Sequence, residues 1–158
     1  MAEVIERVSE FLAANLILEP GESVVVAAKG MPLGQIKKNS KRQGALLVGG
    51  AIGAIVSHVR ESKMTPDELS EKMRLGAYLV LTERRLLLIG AAGMRSLPGE
   101  FLGSVERTRI TGLEEGTTKV SFVKMMTLTF RLDDGNELAF EFPKVDAKDG
   151  ERLKAAFG

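Results

Sequence analysis

Hydrophobic positions change their spacing several times along this chain, and the changes divide it into elements. Residues 2–16 place Val4, Ile5, Val8, Phe11, Leu12 and Leu16 on one stripe, with Glu3, Glu6, Arg7 and Glu10 elsewhere, which predicts an amphipathic helix. Glu19-Pro20-Gly21-Glu22 predicts a turn, and the β-branched run Val24-Val25-Val26 inside Ser23 to Ala28 predicts a buried strand. A Gly/Pro/Lys-rich connector over 29–43 leads into an apolar block, Gly44 to Val56. Thr65-Pro66-Asp67-Glu68 then reads as a helix start, with Thr65 as N-cap, Pro66 at the first helical position and Glu68 closing a capping box. That helix is expected to reach about Arg74, with Leu69 and Met73 as its apolar pair.

From Gly76 the spacing becomes that of short strands between turns. Tyr78–Thr82 and Leu86–Ile89 flank Glu83-Arg84-Arg85 as a hairpin, and Leu97-Pro98-Gly99-Glu100 reads as a turn or a single helical turn. Val105–Thr111 reads as one strand closed by Gly112 and Glu114-Glu115-Gly116, and Lys119–Val123 alternates. Met126, Leu128, Phe130 and Leu132 alternate with Thr127, Thr129 and Arg131, the period-2 pattern of a half-buried strand. Asp133-Asp134-Gly135-Asn136 is a hairpin turn of the Asp-Gly kind. The returning strand sets Leu138, Phe140 and Phe142 on one face and Glu137 and Glu141 on the other, and Pro143 stops it. Val145, Leu153, Ala156 and Phe157 form the stripe of a closing helix over 145–157.

The succession of about seven antiparallel strands and one C-terminal helix resembles a pleckstrin-homology fold. Tyr78-Leu79-Val80-Leu81-Thr82-Glu83-Arg84-Arg85-Leu86-Leu87-Leu88-Ile89 is similar to the hairpin of bacterial pleckstrin-homology-like domains, and Ser104-Val105-Glu106-Arg107-Thr108-Arg109-Ile110 to the strand that follows it. The resemblance covers residues 20–157 and is interrupted over 29–75. It implies an α+β, mainly β fold: an antiparallel barrel of about seven strands with a C-terminal capping helix. To this the sequence adds an N-terminal helix and an inserted Gly-rich apolar helix. It also implies a binding or scaffolding role, and it brings no catalytic residues. The competing expectation for the second half is another small β-barrel or sandwich. Residues 1–158 are read as a single domain, with 29–75 an insertion within it.

Composition narrows the functional classes. At 158 residues the chain fits one domain, and 22 basic against 21 acidic residues leave a net charge of +1, so no global field draws it to nucleic acid. There is no cysteine and one histidine, His58, which removes disulfides, thiol catalysis and cysteine-ligated metals and argues against histidine metal sites and Ser-His relays. The N-terminus is acidic and amphipathic, unlike a signal peptide, and the expected location is cytoplasmic, with peripheral membrane association an option. Gly30-Met31-Pro32-Leu33-Gly34-Gln35 lacks the Gly-Lys-Ser/Thr ending of a phosphate loop, and Gly49-Gly50-x-x-Gly53 lacks dinucleotide spacing. Asp133-Asp134 and Glu114-Glu115 are explained by turns. No cofactor, small-molecule substrate or catalytic constellation is expected.

The apolar block is the strongest anomaly. Gly44 to Val56 is thirteen residues without a polar side chain. As a helix it is about 20 Å long at 1.5 Å per residue, short of the about 20 residues that a simple bilayer span needs. Ala45, Gly49, Gly53 and Ser57 recur every fourth residue and form a small-residue ridge, with Leu46, Ile52 and Val56 off it. Such ridges let helix backbones approach closely. Three readings stand: a buried connecting helix, a self-association surface, or a segment inserted into a membrane surface. Lys37, Lys38, Lys41 and Arg42 precede the block, with no acid in 29–43, and suit an anionic partner as well as a solvated connector. Arg84 and Arg85 at the hairpin tip are a further candidate for holding an anion, and His58 beside the block is a weak candidate for making a contact pH-sensitive. The expected partners are a second copy of the chain, an anionic membrane surface or a membrane protein. The alternative class is a structural assembly subunit whose apolar block meets only protein.

Overall fold

The computed structural model describes residues 2–32, 73, 75–93, 97–120, 122–133 and 137–157. The apolar block, the basic run 37–42, His58 and the expected helix over 65–74, except for Met73, lie outside the described residues.

Helix α1 (Ala2–Ala14) buries Val8 and Leu12, one turn apart, with Val4 and Phe11 beside them. Two members of the expected stripe fall outside it: Ile5 is exposed, and Leu16 is 89% exposed. For Leu16 the cause is the way the helix stops. Leu16 takes a left-handed conformation, φ 53°. The Leu16 amide bonds to the Ala13 carbonyl at 3.3 Å and the Ile17 amide to the Leu12 carbonyl at 3.1 Å, the paired bonds of a Schellman cap. The reversal throws Leu16 into solvent and brings Ile17 and Leu18 onto the apolar layer.

Seven strands follow: β1 (Val24–Pro32), β2 (Ala77–Thr82), β3 (Arg85–Ala92), β4 (Leu97–Glu106), β5 (Ile110–Val120), β6 (Val123–Leu132) and β7 (Glu137–Phe142). They form one antiparallel sheet in the order β4-β3-β2-β1-β7-β6-β5. Strand β1 joins its halves, pairing through Val24–Gly30 with β2 and through Met31 and Pro32 with β7. It therefore runs four residues into the segment expected to be a connector. Helix α2 (Ala147–Phe157) follows a 3-10 turn, Lys144–Asp146.

Alternation on β2 and β3 sends apolar side chains to both faces, which is why their sequences read as unbroken apolar runs. Inward, Leu79, Leu81, Leu86 and Leu88 meet Leu128, Phe130 and Leu132 of β6, Phe140 and Phe142 of β7, and Leu153 of α2. Gly150 of α2 lets that helix lie against Phe142; a Cβ there would stand 3.0 Å from the ring. Outward, Tyr78, Val80, Leu87, Ile89 and Ala91 pack under Val8 and Leu12 of α1. Leu12→Ala is accordingly expected to cost about 2–3 kcal/mol of unfolding free energy, read by urea denaturation, with increased binding of a hydrophobic dye to the uncovered face.

Further boundaries differ from the sequence reading, among them the alternating stretch 119–123, where β5 ends at Val120 and β6 starts at Val123. Leu97–Glu100 is strand, not turn: Pro98 lies on β4 at the sheet edge, where a missing N–H breaks no interior ladder, and bulges opposite Ile89 and Ala91 take up the irregularity. The expected strand 105–111 is cut by a 3-10 turn, Arg107–Arg109, where the chain passes from β4 to β5. Glu114-Glu115-Gly116 continues β5, whose edge position leaves both carboxylates outside, engaged with Arg131 and Lys154. Val145 lies in the 3-10 turn before α2 and is 89% exposed, so the closing stripe rests on Leu153, Ala156 and Phe157.

Candidate functional site

The described basic candidates, Arg84 and Arg85, stand where the β2–β3 hairpin meets the linker between α1 and β1. They are neighbours in sequence and opposites in placement. Arg84 is half exposed, and its Nη1 pairs with Glu19 Oε2 at 3.1 Å. Arg85 corrects the expectation of an open basic tip: as the first residue of β3 it shares the face of Leu87 and Ile89, on the α1 side of the sheet, and is buried there. Its Nε and Nη2 donate to the two oxygens of Glu22, each at 3.0 Å, and Nη2 also donates to the Ile17 carbonyl at 2.8 Å. Its Nη1 reaches Ser104 Oγ at 3.4 Å.

Glu22 is the partner the sequence reading missed. Its carboxylate also accepts from the Glu19 amide at 3.0 Å and from Thr82 Oγ1 at 2.7 Å. Thr82 Oγ1 in turn accepts from the amides of Arg84 and Arg85 at 3.1 and 3.0 Å, which fixes the hairpin turn. Burial by itself raises the Glu22 pKa, but the donors from Arg85, Glu19 and Thr82 outweigh it and hold the group at about 2, against 4.5 ordinarily. Glu83 reaches back to the Ser23 amide at 3.1 Å, and its pKa is lowered by backbone donors. The hairpin is thereby clamped to the α1–β1 linker. This is a structural lock, and it occupies the guanidinium of Arg85 with protein carboxylate.

A second cluster lies where the long connection leaves β1 and returns to β2. Lys29 Nζ stands 6.0 Å from the centre of the Tyr78 ring. Burial raises the Tyr78 pKa. Burial also raises that of Asp146, an effect Lys29 opposes and Asp149 reinforces. Lys29, the first basic residue of the expected connector, thus belongs to β1 and packs on the sheet. Glu141, assigned to an outer face by alternation, is buried opposite Met31 of β1. Gly30 pairs with Ala77, so the connection between Pro32 and Ala77 starts and ends on neighbouring rungs.

A third feature is the tip of the β5–β6 hairpin, where Phe122 is 95% exposed and in a left-handed conformation, φ 72°. The sequence carried a signal for it. Val120 and Phe122 keep one phase of alternation and Val123 breaks it, which marks the turn. Ala45, Leu46, Gly49, Ile52, Gly53, Val56, Ser57, Lys37, Lys38, Lys41 and Arg42 lie outside the described residues. Among the described residues there is no group of His, Cys, Asp and Glu arranged to hold a metal ion, and no helix long and apolar enough to cross a membrane.

No protein-family model matches the chain, and no curated protein matches it. Among solved structures it is similar to a pleckstrin homology domain from Shewanella amazonensis SB2B, at 14% identity and a TM-score of 0.50, over 96% of this chain and 95% of that one. It is also similar to a DUF1696 family protein with a pleckstrin-homology domain from Shewanella loihica PV-4, at 20% identity and a TM-score of 0.37, over 61% of this chain and 92% of that one. The first likeness carries the fold: the seven strands and closing helix have the arrangement of a bacterial pleckstrin-homology domain.

Proposed function

We propose that this chain is a non-catalytic binding or scaffold module, and that its basic-then-apolar segment, residues 29–60, mediates homo-oligomerisation or attachment to a membrane or membrane protein. One observation supports this reading above the others. Antiparallel neighbours are ordinarily joined by about 2–5 residues, whereas β1 and β2, paired rung to rung, are separated by residues 33–76. That excursion holds thirteen consecutive residues with no polar side chain. In this reading Gly49 and Gly53, with Ala45 and Ser57, allow close approach of an apolar partner, and Leu46, Ile52 and Val56 flank the contact. Lys37, Lys38, Lys41 and Arg42 face its anionic groups. Of the hairpin arginines, Arg84 remains accessible to an anion in competition with Glu19, and Arg85 is committed to Glu22.

Size-exclusion chromatography with light scattering, paired with vesicle co-sedimentation, tests the proposal. Gly49→Leu with Gly53→Leu is expected to dissociate an oligomer built on the small-residue ridge and to strengthen plain partitioning into lipid. A wild-type chain that is monomeric at all concentrations and does not bind phosphatidylserine vesicles at low salt overturns it. The alternative reading, an assembly subunit whose apolar block meets only protein, predicts an oligomer with no vesicle binding at any salt concentration.

A further inference from the structure

The β5–β6 hairpin outruns the sheet that carries it. Strand β6 pairs with β7 from Arg131 to Met126, which lies opposite Phe142, and there β7 ends. Pairing between β5 and β6 continues for three more rungs, Thr118 with Met125, Lys119 with Lys124 and Val120 with Val123. The result is a two-stranded arm projecting past its neighbour. Phe122 at its apex is 95% exposed and Val123 beside it 52%. Lys119 and Lys124, both exposed, sit directly across from one another, a like-charge pairing that is unfavourable by itself. Residues 116–127 contain no acid to offset them. The acids further along β5 are already engaged, Glu114 with Arg131 and Glu115 with Lys154.

We infer that this arm is a contact for an anionic membrane surface, separate from segment 29–60. Phe122 and Val123 enter the boundary between headgroups and acyl chains, and Lys119 and Lys124 lie one rung behind, among the lipid phosphates. A strand advances about 3.4 Å per residue, so the cations trail the apolar apex by about the depth of a headgroup layer, 5–10 Å. Charge complementarity selects this occupant. The lysine pair gains about fivefold per charge near an anionic surface, about 1 kcal/mol each. The apolar apex is a projecting point, which a fluid interface accommodates without a preformed groove. The aromatic ring supplies apolar area that is removed from water only on contact.

The chain has no tryptophan, so Phe122→Trp installs a single reporter. Its emission is expected to shift to the blue on mixing the full chain with phosphatidylcholine vesicles containing phosphatidylserine, and not with phosphatidylcholine alone. To remove any contribution of the other segment, co-sedimentation is done in a chain carrying Lys37→Gln, Lys38→Gln, Lys41→Gln and Arg42→Gln. On that background Phe122→Gly, which suits the left-handed backbone, is expected to lower partitioning about tenfold. Lys119→Gln with Lys124→Gln is expected to lower it about 25-fold. Both should leave the melting temperature in place. An unshifted tryptophan, equal partitioning of these variants and their parent, or a change in oligomeric mass on Phe122→Gly with vesicle binding unaltered would each overturn the inference. None of these outcomes depends on whether segment 29–60 oligomerises.

Discussion

Replacing Arg85 with leucine is expected to destabilise the domain by about 3–5 kcal/mol at neutral pH, lowering its melting temperature by about 10 °C or more. The substitution leaves the Glu22 carboxylate buried without the guanidinium that bonds both of its oxygens. It also strips a donor from the Ile17 carbonyl, loosening the chain where α1 turns toward β1. Replacing Glu22 with methionine in the same chain removes the stranded charge and is expected to restore much of the loss. Buried ion pairs often contribute little beyond an apolar pair of similar volume. A double variant as unstable as Arg85→Leu alone would mean that the two residues act through separate contacts.

The pair also sets an acid dependence. Glu22 titrates at about 2 in the folded domain and near 4.5 when unfolded, so between those values the unfolded chain binds more protons. Its contribution is complete above about pH 4.5 and is lost as the pH falls toward 2. The gap corresponds to about 3 kcal/mol. In the Arg85→Leu chain, burial favours the neutral carboxyl, so stability measured by denaturation from pH 6 to pH 3 should fall less steeply than in the wild type. Parallel curves would assign the acid sensitivity to other carboxylates.

Phe130→Ala is the other large expected effect, about 3–5 kcal/mol by urea denaturation. Phe130 is fully buried on β6 and makes edge-to-face contacts with Phe140 at 6.4 Å and with Phe157 of α2 at 5.9 Å between ring centres. Truncation therefore opens a cavity where the sheet and the closing helix meet. Phe157 also carries Arg107 at 5.4 Å from its ring centre, linking α2 to the turn between β4 and β5. Limited proteolysis of the variant should cleave first within α2. A cut confined to α1 would place the weak point in the other apolar layer.

What could be read from the sequence was local. Met126 to Leu132, the Asp-Gly turn and Leu138 to Phe142 announce a hairpin because alternation and turn chemistry lie within a few residues of each other, and β6 pairs with β7 in that register. The β2–β3 hairpin was legible for the same reason. What failed depends on distant partners. Arg84 and Arg85 look alike as composition, yet the first stays half exposed at the hairpin turn and the second is buried against the α1–β1 linker, and the carboxylate that receives Arg85 lies 63 positions earlier, in a turn with no periodicity to betray it. Glu114-Glu115-Gly116 has a turn's composition and became strand because an edge tolerates charge. The Val105–Thr111 run hid a corner at Arg107–Arg109, since strand-forming residue types do not record the direction of the chain. For the candidate site, the readings on residues 33–72 rest on sequence, while the signal for Phe122, a break in alternation at Val123, is a single residue long and gains its meaning only from the turn that joins β5 to β6.

The rung joining Gly30 to Ala77 has one more implication. A polypeptide that leaves and re-enters a barrel at adjacent positions adds an entropic closure term that grows only logarithmically, about 0.6 kcal/mol for each doubling of its length. Changing the length of residues 33–76 is therefore expected to cost little stability while the strand pairing beneath them stays as it is. The sheet acts as a mounting point that holds its attachment by two adjacent anchor points and is indifferent to the span between them.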